Sequence, residues 1–158
     1  MSAIQIGLTD AQRVGSAGIL RSVLADLFVL YTKTRKYHWN VEGRDFYDFH
    51  KLFESQYEEL DEEIDKVAER IRSLGVYSTG SLKEFLVDAR LKEDSEGQIN
   101  ATKMIENLLI DHESLIRELR VDLQRAADDF SDVGNQDFLT GVMEGHEKMA
   151  WMLRSLLR

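Results

Sequence analysis

Five residues of this chain carry metal-binding side chains at telling spacings: His38, His50, Glu54, Asp65 and Glu69. Imidazole combined with carboxylate suits iron, manganese or zinc rather than magnesium alone, which takes oxygen ligands. Glu54 follows His50 by four residues, and Glu69 follows Asp65 by four. On a helix each pair stands on one face, one turn apart, and either pair could grip one ion. With His50 set at zero and about 100° per residue, Glu54 falls near ~40°, Asp65 near ~60° and Glu69 near ~100°. All four therefore share a face beside the apolar stripe. His38 lies 18 residues after Leu20, five turns along the same core-facing stripe. It faces inward at the end of the preceding helix.

A single straight helix cannot unite the two pairs. Glu54 and Asp65 are 11 residues apart, which is about 16 Å of helix, whereas a ligand sits about 2 Å from its ion. Either these are two unrelated half-sites, or the site forms between two copies of the chain. In a two-fold dimer with this helix antiparallel to its mate, His50 and Glu54 of one copy face Asp65 and Glu69 of the other. We take the second reading, which makes the isolated protomer inactive. The bland alternative is a solvated face, since Glu54 to Glu69 holds eight acidic residues and one Lys. Glu59, Glu63, Lys66 and Arg70 lie on the far side of the wheel and suffice for that face. Asp65 and Glu69 border the stripe, where burying an unpaired carboxylate is costly. The Glu-x-x-His motif of intrasubunit di-iron bundles is absent. Three residues before His38, His50, His112 and His146 stand Arg35, Tyr47, Leu109 and Met143.

Helical periodicity positions these residues. A first helix starts near the N-cap Thr9 and runs to about His38, with Leu20, Val23, Leu24, Leu27 and Tyr31 as its stripe. Gly43 marks a break. A second helix spans about Asp45 to Gly75, with Phe46, Phe53, Tyr57, Leu60, Ile64, Ala68 and Ile71 inward. Ser81 and Glu84 form a capping box for a short helix whose apolar face is Leu82, Phe85 and Leu86. A third long helix covers about Asn100 to Ala127, and a fourth about Gln136 to Leu157, with a loop from Phe130 to Asn135 between them. The expectation is an all-α, ferritin-like four-helix bundle, with a short extra helix in the connection between the second and third long helices. It is read as one domain over 1–158.

The chain of 158 residues has no Pro, which suits long uninterrupted helices. It has no Cys, which excludes disulfides, thiolate zinc sites and iron–sulfur clusters. That fits a reducing compartment. The longest apolar stretch, Leu27 to Tyr31, falls far short of the ~20 residues that span a bilayer. The first residues lack the basic region of a secretory signal. A net charge of −9 opposes phosphate backbones and suits a collector of cations.

The stretch His38 to Ile71 reads HWNVEGRDFYDFHKLFESQYEELDEEIDKVAERI. It resembles the Dps family, the mini-ferritins named as DNA-binding proteins from starved cells. The matching residues are His38, Trp39, Asn40, His50, Glu54, Asp65, Ala68, Glu69, Arg70 and Ile71. The C-terminal HEKMAWMLR, His146 to Arg154, is also similar to the family's last helix. The resemblance implies a cytoplasmic homo-dodecameric shell with a ferroxidase centre at each two-fold interface. It assigns His38, His50 and Glu54 to one subunit and Asp65 and Glu69 to the other, with two iron positions per site. Fe(II) is oxidised there, preferentially by hydrogen peroxide rather than oxygen, and Fe(III) mineral grows inside. Zinc, which has no redox chemistry, is the expected inhibitor. Trp39 lies beside the centre in this family, as a radical interceptor or as interface packing.

The resemblance also points to carboxylate-lined three-fold pores near the last loop, with Asp128, Asp132 and Asp137 as candidates. Asp137 equally suits the first turn of a helix. Glu58 and Glu62 are candidates for mineral nucleation on the acidic flank of the second helix. His112 and His146 fall on apolar stripes and read as packed residues. DNA binding in the family uses a Lys-rich tail. Here no Lys or Arg precedes Asp10, so DNA binding is not expected.

Overall fold

The computed structural model describes residues 4–158. Met1, Ser2 and Ala3, part of the uncharged leading stretch, lie outside the described residues. Five helices follow in order: α1 Asp10–Asn40, α2 Phe46–Ser73, α3 Leu82–Asp88, α4 Ala101–Asp128 and α5 Val133–Ser155. There is no strand among the described residues. The four long helices form the bundle, and α3 lies in the connection between α2 and α4. The closest packing joins α4 with α5 and α1 with α2, while α3 lies on α1.

Local chemistry sets most helix ends. Thr9 caps α1 in a capping box with Gln12, Ser81 caps α3 with Glu84, and Asn100 accepts from the Lys103 N–H to start α4. Gly75, at φ +82°, ends α2. Its N–H bonds the Arg72 carbonyl, and the Val76 N–H bonds the Ile71 carbonyl, closing the helix in a left-handed turn that glycine enters without a Cβ clash. The last helix starts earlier than the periodicity suggests. Asp132 is its N-cap, accepting from the Asn135 N–H, so the expected loop contains the first turn of α5.

The core runs through all four long helices, with Leu20, Leu27, Leu30, Phe53, Leu60, Ile71, Leu108, Leu115, Leu119, Leu139 and Leu153 fully buried. The expected stripes of α2 and α3 need correction. In α2, Val67 is buried, whereas Phe46 is exposed and Tyr57 and Ala68 are partly so. In α3 only Phe85 turns inward, stacking on Phe28 with ring centroids 4.0 Å apart, and Leu82 and Leu86 face out. A helix of seven residues has room for one inward position per turn and little more. By length and apolar composition alone, α1 could cross a membrane, but 61% of its most apolar window is buried within the bundle.

An ion network ties the connection after α3 to the bundle. Asp26 in α1 is fully buried. Its carboxylate accepts from the Arg90 and Leu91 backbone N–H groups and from Arg90 Nε at 2.7 Å. Arg90 also reaches Asp122 in α4 at 2.6 Å and Glu118 at 3.2 Å. One guanidinium therefore fastens the crossover to two helices.

Candidate metal centre

The turn from Val41 to Asp45 folds the end of α1 against the start of α2 and brings His38 onto His50. The two imidazoles stack with centroids 3.7 Å apart and planes 22° apart. His38 Nδ1 lies 2.8 Å from the His50 carbonyl oxygen, and His50 Nδ1 lies 2.8 Å from the His38 carbonyl oxygen. A carbonyl only accepts, so each Nδ1 carries the hydrogen and donates. Both rings are thereby locked with Nε2 as the nitrogen left for a metal. This is the support that metal-binding histidines ordinarily receive from a backbone carbonyl. The reciprocal bonds are invisible in the residue spacing, because each joins one side chain to the other's backbone.

Glu54 stands one turn beyond His50 and is half-buried. A hydrogen bond from Lys51 holds its carboxyl below the usual range, and the two imidazoles act in the same direction. Tyr57 packs edge-on to His38 at 5.2 Å. The Arg35 guanidinium lies over the Tyr57, Tyr31 and Trp39 rings at 4.7, 5.5 and 5.4 Å and donates to the Tyr31 hydroxyl. Trp39 is otherwise exposed. This Arg35-centred aromatic group beside the histidines has no spacing that marks it in the sequence.

Asp65 and Glu69 are exposed further along α2. Asp65 lines an open groove of about 530 Å³ with Asp61, Ala68, Phe28, Thr79 and Phe85. Within one chain the structure brings His38 against His50, with Glu54 one turn beyond on α2 and paired with Lys51, and leaves Asp65 and Glu69 further along that helix. Among the described residues, no three His, Asp or Glu side chains of a single chain converge on one ion position.

The pore candidates divide. Asp128 and Asp137 are exposed, Asp128 accepting from Gln124. Asp132 is buried and does not fit an ion path. It caps α5, accepts from Ser16 at 2.7 Å and faces Arg70 at 3.6 Å, so its carboxylate is spent inside the protomer. Glu58 and Glu62 are exposed on α2, with Glu62 near Lys66.

Two residues expected on the solvated face turn elsewhere. Arg70 donates to Asn135 at 2.6 Å. Glu63 meets His146 Nε2 at 2.8 Å, and His146 Nδ1 lies 2.8 Å from His112 Nδ1. Both imidazoles are fully buried. Burial, then the neighbouring His146, holds His112 well below the usual imidazole pKa. The unfolded chain takes up that proton near pH ~6.5 and the folded one does not. The stability this group contributes is thus full above about pH 6.5 and declines as pH falls below it. A His112→Leu variant is expected to lack this slope. Denaturation midpoints at pH 7 and pH 5 check it: wild type is expected to lose more stability than the variant over that interval. Equal losses would show that His112 does not carry the acid sensitivity.

Comparisons with known proteins agree with this architecture. The ferritin-like domain family model matches residues 17–158. A low temperature-induced protein of Nostoc sp. strain PCC 7120 is 52% identical over 99% of this chain and 88% of its own length. DNA protection during starvation protein 2 of Bacillus anthracis is 35% identical over 88% of this chain and 94% of its own. The structure of a Dps protein from Vibrio cholerae O1, described as a member of a broad superfamily of ferritin-like diiron-carboxylate proteins, aligns with a TM-score of 0.91. That alignment has 32% identity and covers 100% of this chain and 98% of the other. The chain belongs to the Dps family of the ferritin-like superfamily.

Proposed function

We propose that this protein is a Dps-type ferroxidase and iron store that protects against oxidative stress, with Fe(II) as substrate. The observation that carries this reading is the reciprocal backbone locking of His38 and His50, which leaves Nε2 of each ring free of the backbone, with Glu54 one turn beyond His50 on α2. The site is completed by Asp65 and Glu69 of a second copy across a two-fold axis, within a dodecameric shell in the cytoplasm. Five protein ligands are few for two irons, so water fills the remaining positions and leaves room for oxidant.

In the reaction two Fe(II) ions each give one electron to hydrogen peroxide. The O–O bond breaks, two protons are taken up, and two waters form. Delivering both electrons at one place avoids release of hydroxyl radical. The carboxylates of Glu54, Asp65 and Glu69 offset the charge that rises on oxidation, and the neutral imidazoles hold the irons without adding charge. The product Fe(III) moves into the shell interior and mineralises, with Glu58 and Glu62 as nucleating carboxylates and Asp128 and Asp137 as entry residues. Zn(II) at the same ligands is redox-inert and inhibits.

Stopped-flow absorbance in the ferric region tests the reading. About two Fe(II) per site, loaded anaerobically, are mixed with peroxide or with air-saturated buffer. A fast peroxide phase and a slow oxygen phase are expected. Oxidation no faster than a protein-free control, in assembled shells, would remove the enzyme.

We also propose that this member does not bind DNA appreciably. The net charge of −9, multiplied over a shell, repels phosphate, and the stretch before Asp10 carries no Lys or Arg. In a gel shift at about 150 mM salt without added metal, plasmid is expected to run free. Retained plasmid would overturn this.

A further inference from the structure

Arg35 makes no ion pair among the described residues, although the chain carries 29 acidic side chains against 20 basic ones. Asp61 acts on it only from beyond contact. Its charge faces rings instead. The guanidinium carbon lies 4.7 Å from the Tyr57 centroid, 5.4 Å from that of Trp39 and 5.5 Å from that of Tyr31. All three fall within the about 6 Å over which a cation and an aromatic face attract. One guanidinium N–H donates to the Tyr31 hydroxyl at 2.6 Å, while Nε is shielded from solvent without a partner.

These rings form a series that starts at the histidines. Tyr57 stands edge-on to His38 with centroids 5.2 Å apart, and Tyr31 stands edge-on to Tyr57 at 6.2 Å. The chain has no Cys, so phenol and indole rings are its readiest one-electron donors. A ring that gives up an electron passes through a positive charge. Beside a fixed guanidinium that charge is repelled, and the attraction between the cation and the electron-rich face is lost. The phenol proton must leave as well, and Arg35, which only donates, cannot take it from Tyr31. Both effects oppose oxidation of the rings.

We propose that Arg35 makes Tyr57, Tyr31 and Trp39 reluctant electron donors, by holding an unpaired positive charge over all three rings, so that peroxide draws both its electrons from iron. Arg35 touches neither iron nor peroxide and acts through the rings. This role rests on the ferroxidase reading; the effect on the rings themselves does not. The reaction opposed is the one available when a single Fe(II) is bound. Fe(II), a tyrosine phenol, hydrogen peroxide and one proton then give Fe(III), a phenoxyl radical and two waters. The O–O bond breaks, iron and ring each supply one electron, and the phenol proton ends in water. Slowing the ring leaves the second electron to a second Fe(II).

The test has an iron-free arm and an iron arm, both in assembled shells of wild type, Arg35→Gln and Arg35→Lys. Arg35 is partly exposed, so its neutral variant is expected to fold. In the first arm the probe is nitrogen dioxide radical, a neutral one-electron oxidant that the shell's charge does not steer. It takes an electron from a ring to become nitrite, the ring loses a proton to water, and a second radical adds to give a nitro product. Mass spectrometry reads nitration at Trp39 relative to Trp151, which has no cation over its ring among the described residues. The ratio should rise about 3–10-fold in Arg35→Gln, the rate equivalent of losing a cation–π contact. It should stay near wild type in Arg35→Lys, which keeps the charge. In the second arm about one Fe(II) per site is mixed with peroxide, and ring radicals are counted by electron paramagnetic resonance. Their yield should rise in Arg35→Gln by a similar factor.

An unchanged Trp39 ratio in Arg35→Gln would overturn the proposal. So would Arg35→Lys behaving as Arg35→Gln, which would make Arg35 a packing residue. Rapid Fe(II) oxidation with equal radical yields in wild type and Arg35→Gln would also overturn it. Fe(II) oxidation no faster than protein-free buffer, with the iron-free difference intact, would instead strike the ferroxidase reading and leave the effect of Arg35 on the rings standing.

Discussion

Shells carrying Asp65→Ala with Glu69→Ala are expected to oxidise Fe(II) no faster than protein-free buffer while assembling normally. Both side chains are exposed in the protomer, so their loss costs the fold little. On the proposed assignment it removes every ligand that one subunit offers to its partner's histidines. The effect should exceed the 10–100-fold typical of losing only a supporting residue around a metal. A second experiment separates an intersubunit site from two independent ones. When this variant is co-assembled with His38→Ala/His50→Ala subunits, each mixed interface contains one complete ligand set and one reduced to Glu54 alone. Part of the fast oxidation should return in mixed shells, although each parent alone is inactive. Unchanged rates in the Asp65/Glu69 variant would reject those ligands. No recovery in verified hybrids would reject the shared site.

Replacing Arg90 with methionine is expected to be the most damaging single change to stability. It removes the guanidinium that pairs with Asp26, fully buried, and takes from Asp122, nearly so, its 2.6 Å partner, leaving only Arg125 at 3.8 Å. Breaking a buried ion pair by removing one partner costs about 3–5 kcal/mol. Burial already pushes the Asp122 carboxyl upward, against the pull of Arg90. Without that cation its folded pKa rises further above the unfolded value. Folded-state protonation then relieves the penalty, so the deficit should be largest near pH 7 and shrink as pH falls. Denaturant midpoints of variant and wild type at pH 7 and pH 5, at one fixed protein concentration, check this. A deficit below about 1 kcal/mol, unchanged with pH, would place the network among weak surface pairs.

Much of this protein is written locally. The helices follow from apolar periodicity, the absence of proline and short capping patterns such as Thr9 and Ser81 with Glu84, all of which act within one or two turns. The ligand types and the four-residue spacing of His50 with Glu54 and Asp65 with Glu69 are likewise local. The length of one helix was enough to argue that those pairs belong to different copies.

What the sequence left open lies between helices. Asp132 read as a loop acid because its true partners, Ser16 and Arg70, are 116 and 62 residues away in sequence. Glu63 read as a surface acid, yet it meets a histidine 83 residues further along. The locking of His38 and His50 depends on a turn that sets each ring against the other's backbone carbonyl. Only tertiary structure decides such cases, because a polar side chain on the border of an apolar stripe can turn to water or inward. The free energy of that choice comes from the partner that packing supplies.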